Sequence, residues 1–321
     1  MKKTILLAFL GTIALFLAFL AGGVSYWFQH PLKNKSTIVL IEKGASLSNI
    51  SSLLHENKVL QFSFLFKSTL YLTGGWRHLK AGEYLIPPSV TPAQLIHILK
   101  SGNVIFHPVA LIEGETSHHF TQKLLKDNRF QGVCEVPAEG SLLPETYHFP
   151  RNAARQEIIK HMQKSMGVAL LNIWLGRSHD LPLQSPEELL VLASIVEKET
   201  ALPHERPYVA AVFLNRLRQG MRLQADPTLI YGLSQGKEET IRELTLKDLQ
   251  TENPYNTYLN SGLPPSPISN PSLASLRAVA HPENVSYIYF VADGSGGHVF
   301  ATTLEEHQKN HAQWRKIRKQ D

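Results

Sequence analysis

What the 321-residue chain lacks limits it before anything it contains. It has a single cysteine, Cys134, which excludes an intramolecular disulfide and a cysteine-built metal centre. His118, His119 and His204 stand without an HExxH or comparable ligand spacing, and no Gly-x-Ser-x-Gly elbow is present. Neither a metal nor an organic cofactor is therefore expected, and serine catalysis is set aside. Charged residues make up only 18% of the chain against 43% hydrophobic, enough apolar material for one large core or two modest ones. The net charge is +5, but the basic residues are scattered. Their densest cluster, Arg315, Lys316, Arg318 and Lys319, reads as a solvated helix end. Nucleic acid is not an expected partner.

Between Lys3 and Lys33 there is no Asp, Glu, Lys or Arg. As a helix rising ~1.5 Å per residue, the run from Ile5 to Phe28 would be roughly 36 Å long, more than the ~30 Å of a bilayer's hydrocarbon core. Residues 1–28 are expected to be a cytoplasmic end and a lipid-embedded anchor. Lys2 and Lys3 would stay on the cytoplasmic side, with Tyr26, Trp27 and Phe28 as an aromatic belt at the far interface. Ala21 and Gly23 leave open a signal sequence that is cut. In the anchored reading the protein crosses the cytoplasmic (inner) membrane once, with everything after about residue 30 outside.

Residues 29–36 read as a short polar tether. From Thr37 to Glu42 the residues favour a strand, Gly44-Ala45-Ser46 turns, and Leu47, Ile50, Leu53 and Leu54 share a helical face. A second helical stretch over 63–72 stops at Gly74-Gly75. After an extended segment at 79–86, Thr91-Pro92-Ala93-Gln94 has the cap, first-position proline and capping-box residue of a helix start, with Gly102 as its stop. Residues 37–103 thus form a small α+β module. Residues 104–321 are mostly helical, with a late β-hairpin in which 287–291 and 298–300 flank Asp293-Gly294-Ser295-Gly296-Gly297.

The helix starting at Ser185-Pro186-Glu187-Glu188 continues as an almost wholly apolar run to Glu197-Lys198-Glu199-Thr200. At 100° per residue, Lys198 lies on the narrow polar side and Glu197 and Glu199 fall on opposite flanks, so one cleft cannot receive both. A carboxyl at the end of such a helix loses hydration of its charged form, which raises its pKa and suits it to protonate a glycosidic oxygen. Spacing leaves open which glutamate this is. It also leaves open that both are surface residues paired with Lys198 or Arg206.

The segment from Glu205-Arg206-Pro207 through Asn215-Arg216-Leu217 and Met221-Arg222-Leu223-Gln224-Ala225-Asp226-Pro227 to Tyr231-Gly232 resembles the YceG-like endolytic murein transglycosylases (the MltG group). The resemblance extends to Lys43-Gly44-Ala45-Ser46-Leu47, Lys80-Ala81-Gly82-Glu83-Tyr84 and 139–147. It continues through Asn253-Pro254-Tyr255-Asn256-Thr257-Tyr258, Gly262-Leu263-Pro264-Pro265 and Val291-Ala292-Asp293-Gly294. Leu143 and Glu145 stand where Phe and Asp are usual.

The resemblance implies an α+β fold: an N-terminal transmembrane helix, a small LysM-like α+β module, and a helix-rich lytic transglycosylase domain with a C-terminal β-hairpin. It implies a lyase that cleaves the bond between N-acetylmuramic acid and N-acetylglucosamine within nascent peptidoglycan strands, leaving 1,6-anhydro ends because the muramic C6 hydroxyl attacks instead of water. One glutamate then serves as general acid and base, and the resemblance favours Glu199, with Glu197 in reserve. Glycan strands are the implied substrate and penicillin-binding protein synthases possible partners. A non-enzymatic, membrane-anchored peptidoglycan-binding scaffold for those synthases is the alternative, and a muramidase hydrolysing the same bond a closer rival.

Gln224, Asp226, Tyr255, Asn256, Thr257 and Tyr258 are candidates to line the sugar cleft, since amides, carboxylates, hydroxyls and aromatic faces hold glycans. Asp226-Pro227 is equally a helix cap and first position. Arg206 and Arg216 read as partners of helix carboxylates.

Overall fold

The computed structural model describes residues 2–237 and 244–318. Lys319 and the side chains of Lys2, Lys3 and Arg318 lie outside the described residues. Helix α1 (Lys2–Gln29) runs without a break. Leu15, Phe16 and Leu17, successive residues pointing about 100° apart, are all more than half exposed. A helix whose middle shows apolar side chains on every side has the pattern of a membrane anchor or a signal sequence. By length and hydropathy, Phe9–Gln29 could cross a membrane.

The chain divides into two compact units. In the first, β1 (Thr37–Ile41) pairs antiparallel with β2 (Gly82–Ile86), Thr37 opposite Ile86 and Ile41 opposite Gly82. The period-2 alternation of a strand puts Val39, Ile41, Tyr84 and Ile86 inside and leaves Ile38 and Leu85 exposed. Three helices complete the core: α2 (Leu47–Glu56), α3 (Ser63–Leu72) and α4 (Pro92–Ser101). Ser46 caps α2, and Thr91 and Gln94 close a reciprocal capping box on α4. Residues 29–36 do not hang free. Trp27 and Phe28 pack against this core, Leu32 is buried and donates its amide to Val90 O at 2.9 Å, and the Asn34 amide donates to Pro87 O at 2.6 Å.

Strands β3 (Phe106–Ala110) and β4 (Thr146–Pro150) pair where the chain passes from one unit to the other. His148–Asn152 groups with the first unit rather than with the residues around it in sequence, and Arg151 lies 3.6 Å from Glu83 there. Local periodicity carries no signal for such a return.

The second unit holds α5 (Ser117–Lys126), α6 (Arg155–Leu175), α7 (Pro186–Glu199), α8 (Arg206–Arg218), α9 (Asp226–Ser234), α10 (Leu246–Leu249) and α11 (Leu273–Ala280). The hairpin strands β5 (Tyr289–Ala292) and β6 (His298–Ala301) follow, and then α12 (Leu304–Arg318). Helix α7 runs through the core: Leu189, Leu192, Ile195 and Val196 meet Val209 and Phe213 of α8 and Leu276 and Val279 of α11. Ser185 caps α7, but the Glu188 carboxylate reaches Gln184 N at 2.6 Å rather than the cap's own amide. Strands β5 and β6 pair antiparallel from Tyr289–Ala301 to Ala292–His298. The ladder begins at Tyr289 rather than at Tyr287, because the Asn215 amide takes the Val285 and Tyr287 carbonyls at 2.8 and 2.9 Å.

Candidate functional site

The end of α7 separates the two glutamates chemically. Glu197 is buried and fully engaged. One carboxylate oxygen accepts from Arg206 Nη2 at 3.1 Å, and the other accepts from Ser272 N at 2.8 Å and Ser272 Oγ at 2.5 Å. Lys198, between the two glutamates in sequence, is exposed and lines a cavity of about 570 Å³ with Glu115, Lys123 and Tyr231.

Glu199 sits on the opposite flank. Among the described residues its carboxyl has no hydrogen bond and no ion pair, although part of its surface reaches solvent. Dense protein around it and, second, the Asp226 carboxylate push its pKa up to about 8, against an opposing pull from Arg216. At neutral pH such a carboxyl carries its proton and can give it away.

Three elements supply the surroundings. From α8, the buried Arg216 is held by the carbonyls of Ile288 and Leu223, each at 2.7 Å, with its guanidinium over the Tyr289 ring. It pairs with backbone carbonyls, not with a helix carboxylate. At the start of α9, Ala225 is the cap residue and Asp226 occupies the first helical position. Asp226 does not cap; its carboxylate accepts from the Tyr258 hydroxyl. Burial and that bond hold the Tyr258 phenol protonated well above its ordinary range. Glu199, Arg216, Asp226 and Tyr258 therefore form one electrostatic group.

The other candidates from 224 to 258 divide. Asn256 and Thr257 are buried and committed internally, which corrects the expectation that they reach into a cleft. The Asn256 amide donates to Leu249 O and Thr251 O at 3.0 and 2.8 Å. Thr257 Oγ1 accepts from Ala225 N at 3.0 Å and meets Thr228 Oγ1 at 2.9 Å. They fix the loop that carries Tyr258. Gln224 is exposed, with φ 49° and its backbone N–H donating to Thr257 O at 3.1 Å; a non-glycine residue in the left-handed region marks a chain path fixed by its surroundings. Tyr255 bonds Ser266 Oγ at 2.7 Å and lies against Tyr231, ring centroids 5.0 Å apart.

Sequence reasoning missed a supporting network. Thr200, the residue after Glu199, donates its hydroxyl to Glu205 at 3.0 Å, and Glu205 accepts from both the amide and the ring Nδ1 of His298 on β6, each at 2.7 Å. Burial alone would raise the Glu205 pKa, but the bonds from His298 and Thr200 outweigh it and lower the value. Asn270 is a second omission: its amide donates to Glu115 O at 3.0 Å and Ser117 Oγ at 3.1 Å, and its carbonyl oxygen accepts from Leu142 N at 3.0 Å. Both networks join residues over 90 positions apart in sequence, beyond the reach of a spacing rule.

Residues 39–313 match the model of the YceG-like family. The chain belongs to the YceG-like family. It is similar to the endolytic murein transglycosylase of Bacillus subtilis strain 168, with 30% identity over 86% of this chain and 84% of the relative. A Streptococcus pneumoniae protein of the same name is 26% identical over 95% of this chain, which spans 65% of that relative's length. A crystal structure of a YceG-like protein from Listeria monocytogenes aligns with a TM-score of 0.53 and 30% identity, covering 86% of this chain and 99% of that one. The family's match begins inside β1 and ends inside α12, so it takes in parts of both units and leaves α1 outside.

Proposed function

We propose that this YceG-like chain is a lytic transglycosylase of peptidoglycan with Glu199 as its sole general acid and base. The observation that carries the reading is Glu199 itself: a carboxyl held protonated at neutral pH, with no hydrogen bond to another described residue, at the end of a buried helix. In the forward step Glu199 gives its proton to the glycosidic oxygen between N-acetylmuramic acid and N-acetylglucosamine as that bond breaks. The resulting carboxylate takes the proton of the muramic C6 hydroxyl as its oxygen bonds to C1. The products are an anhydro end and a free 4-hydroxyl, and Glu199 is protonated again. No water enters and no second carboxylate is needed. Asp226 keeps the acid protonated beforehand, Arg216 favours the carboxylate formed midway, and Tyr258 and Gln224 stand at the edge of the sugar path.

The first unit is read as a LysM-like wall-binding module, with a cavity of about 660 Å³ along β1 and α2 as its groove. The second, closed by the C-terminal hairpin, is read as the catalytic domain. Helix α1 is read as an uncleaved anchor in the cytoplasmic membrane, with both units outside, where synthases make new strands and would be natural partners.

The deciding experiment digests uncrosslinked glycan strands with the protein and its Glu199→Gln and Glu197→Gln variants, products being read by mass spectrometry. Anhydro-ended fragments are expected, one water lighter than a muramidase would leave. Glu199→Gln should lower their yield by roughly 10²–10⁴-fold or more. Glu197→Gln should instead cost folding stability, up to roughly 3–5 kcal/mol, by weakening a buried ion pair. Full cleavage by Glu199→Gln would overturn the mechanism, and no cleavage by the folded parent would favour the scaffold.

A further inference from the structure

The face of α12 that meets the β5–β6 hairpin is not built for packing. Residues at i, i+3, i+7 and i+10 of a helix share a face, and here they are His307, Asn310, Trp314 and Ile317. The two ends of this face are closed: His307 stacks on Tyr289 with centroids 4.9 Å apart, and Ile317 lies over Gly294. Between them lies a cavity of about 540 Å³, lined by Tyr287, Phe300 and Trp314 and by the amides of Asn310 and Gln313. Tyr287 and Phe300 are stacked on each other, centroids 5.6 Å apart and 26° between planes, and so form a single aromatic wall.

Three polar side chains around this wall are open. Among the described residues, the Tyr287 hydroxyl and the Asn310 and Gln313 amides have no hydrogen-bond partner. Asn310 is half-buried and Gln313 exposed, so both amides face the cavity with water as their present partner. Asp293 and His298, by contrast, already have partners. Asp293 accepts from Ser295 and Gly297 inside the hairpin turn, and His298 Nδ1 is bound to Glu205 at 2.7 Å. An aromatic wall, three open hydrogen-bonding groups and one carboxylate held by neutral donors suit a ligand with one apolar face and a rim of hydroxyls and amides.

We infer that this cavity binds an uncharged N-acetylhexosamine unit of a glycan strand, as a second sugar site apart from the Glu199 group. The choice of ligand rests on the wall-glycan reading above. The His298–Glu205–Thr200 bonds link this hairpin to the residue after Glu199, so a strand held here bears on the same scaffold that carries the acid. Binding energy gathered away from the reacting bond is what an enzyme of long strands can spend on orientation.

The test uses the full chain in detergent, carrying Glu199→Gln so that ligand is not consumed and labelled with fluorotryptophan. The Trp314 resonance is identified by its loss in Trp314→Phe. Chitotetraose should shift that resonance saturably, and Asn310→Ala with Gln313→Ala should weaken the binding it reports by about tenfold or more, the worth of two hydrogen bonds. The amide variants lie on an exposed helix, and unchanged circular dichroism verifies their fold. A Trp314 resonance that stays in place up to the solubility of the sugar, or a shift indifferent to the amide substitutions, overturns the proposal, even if the parent protein cuts strands. A shift weakened by those substitutions supports it, even if Glu199→Gln proves to leave cleavage intact.

Discussion

At the scale of single residues, two glutamates two positions apart have been given opposite tasks by their neighbours. Glu197 meets one guanidinium and two donors from Ser272, whereas Glu199 meets a carboxylate and crowding. Because the Glu199 pKa is raised to about 8, its proton is present below that pH and cleavage should fall as pH rises through it. Asp226→Asn removes one of the two causes of the rise, so the alkaline limb of the rate profile should move to lower pH while burial keeps it above the ordinary carboxylate range. A pH–rate series on the two proteins reads this directly. The opposite flanks of Glu197 and Glu199 could be read from the sequence, since 200° of helix separates them. Which flank was loaded could not, because Ser272, Arg216 and Asp226 come from distant segments. Asn256 and Thr257 mark the same limit from the other side: their polarity suggests sugar contact, yet Asn256 spends it on nearby carbonyls and Thr257 on the start of α9.

Among the elements, α7 carries the most explicit local code: a serine cap, a first-position proline, an apolar body and a threonine after its last residue. That code says where the helix runs. It does not say what pins its end, which is Glu205 reaching from the start of α8 to Thr200 and to His298 on β6. The Glu205 pKa is depressed in the folded state, so the stability it confers is present above the ordinary carboxylate pKa and is lost as pH falls through the depressed value. Glu205→Ala should cost roughly 1–3 kcal/mol, from buried donors left without an acceptor. The loss should shrink toward acid pH in chemical denaturation. Helix α1 makes a different prediction, since among the described residues none covers its middle. Leu15→Arg should weaken membrane insertion by about 3 kcal/mol at the helix centre and raise the fraction released from membranes by alkaline extraction, while leaving the two folded units intact.

For the molecule as a whole, the notable fact is two cores with no residue in common, one around Tyr84, Phe66 and Leu95 and the other around Leu192, Phe213 and Leu276. Each should unfold as its own cooperative event. Tyr84→Ala and Phe213→Ala should each cost roughly 3–5 kcal/mol locally. In calorimetry each should move one transition and leave the other in place. Composition leaves one large core or two modest ones open, and the change of pattern near residue 103 suggests a division there. The return of His148–Asn152 to the first unit could not be anticipated, because pairing between β3 and β4 is a non-local event.

The packing of Trp27, Phe28 and Leu32 onto the first core leaves no slack between α1 and that core. With α1 seated in a bilayer, as proposed, the first unit cannot roam on a leash. It would ride at a set height just above the lipid surface and sweep a thin layer as the anchor diffuses. If that unit binds glycan, as proposed, a strand would come within its reach only near the membrane. The enzyme would therefore select strands by altitude rather than by chemistry.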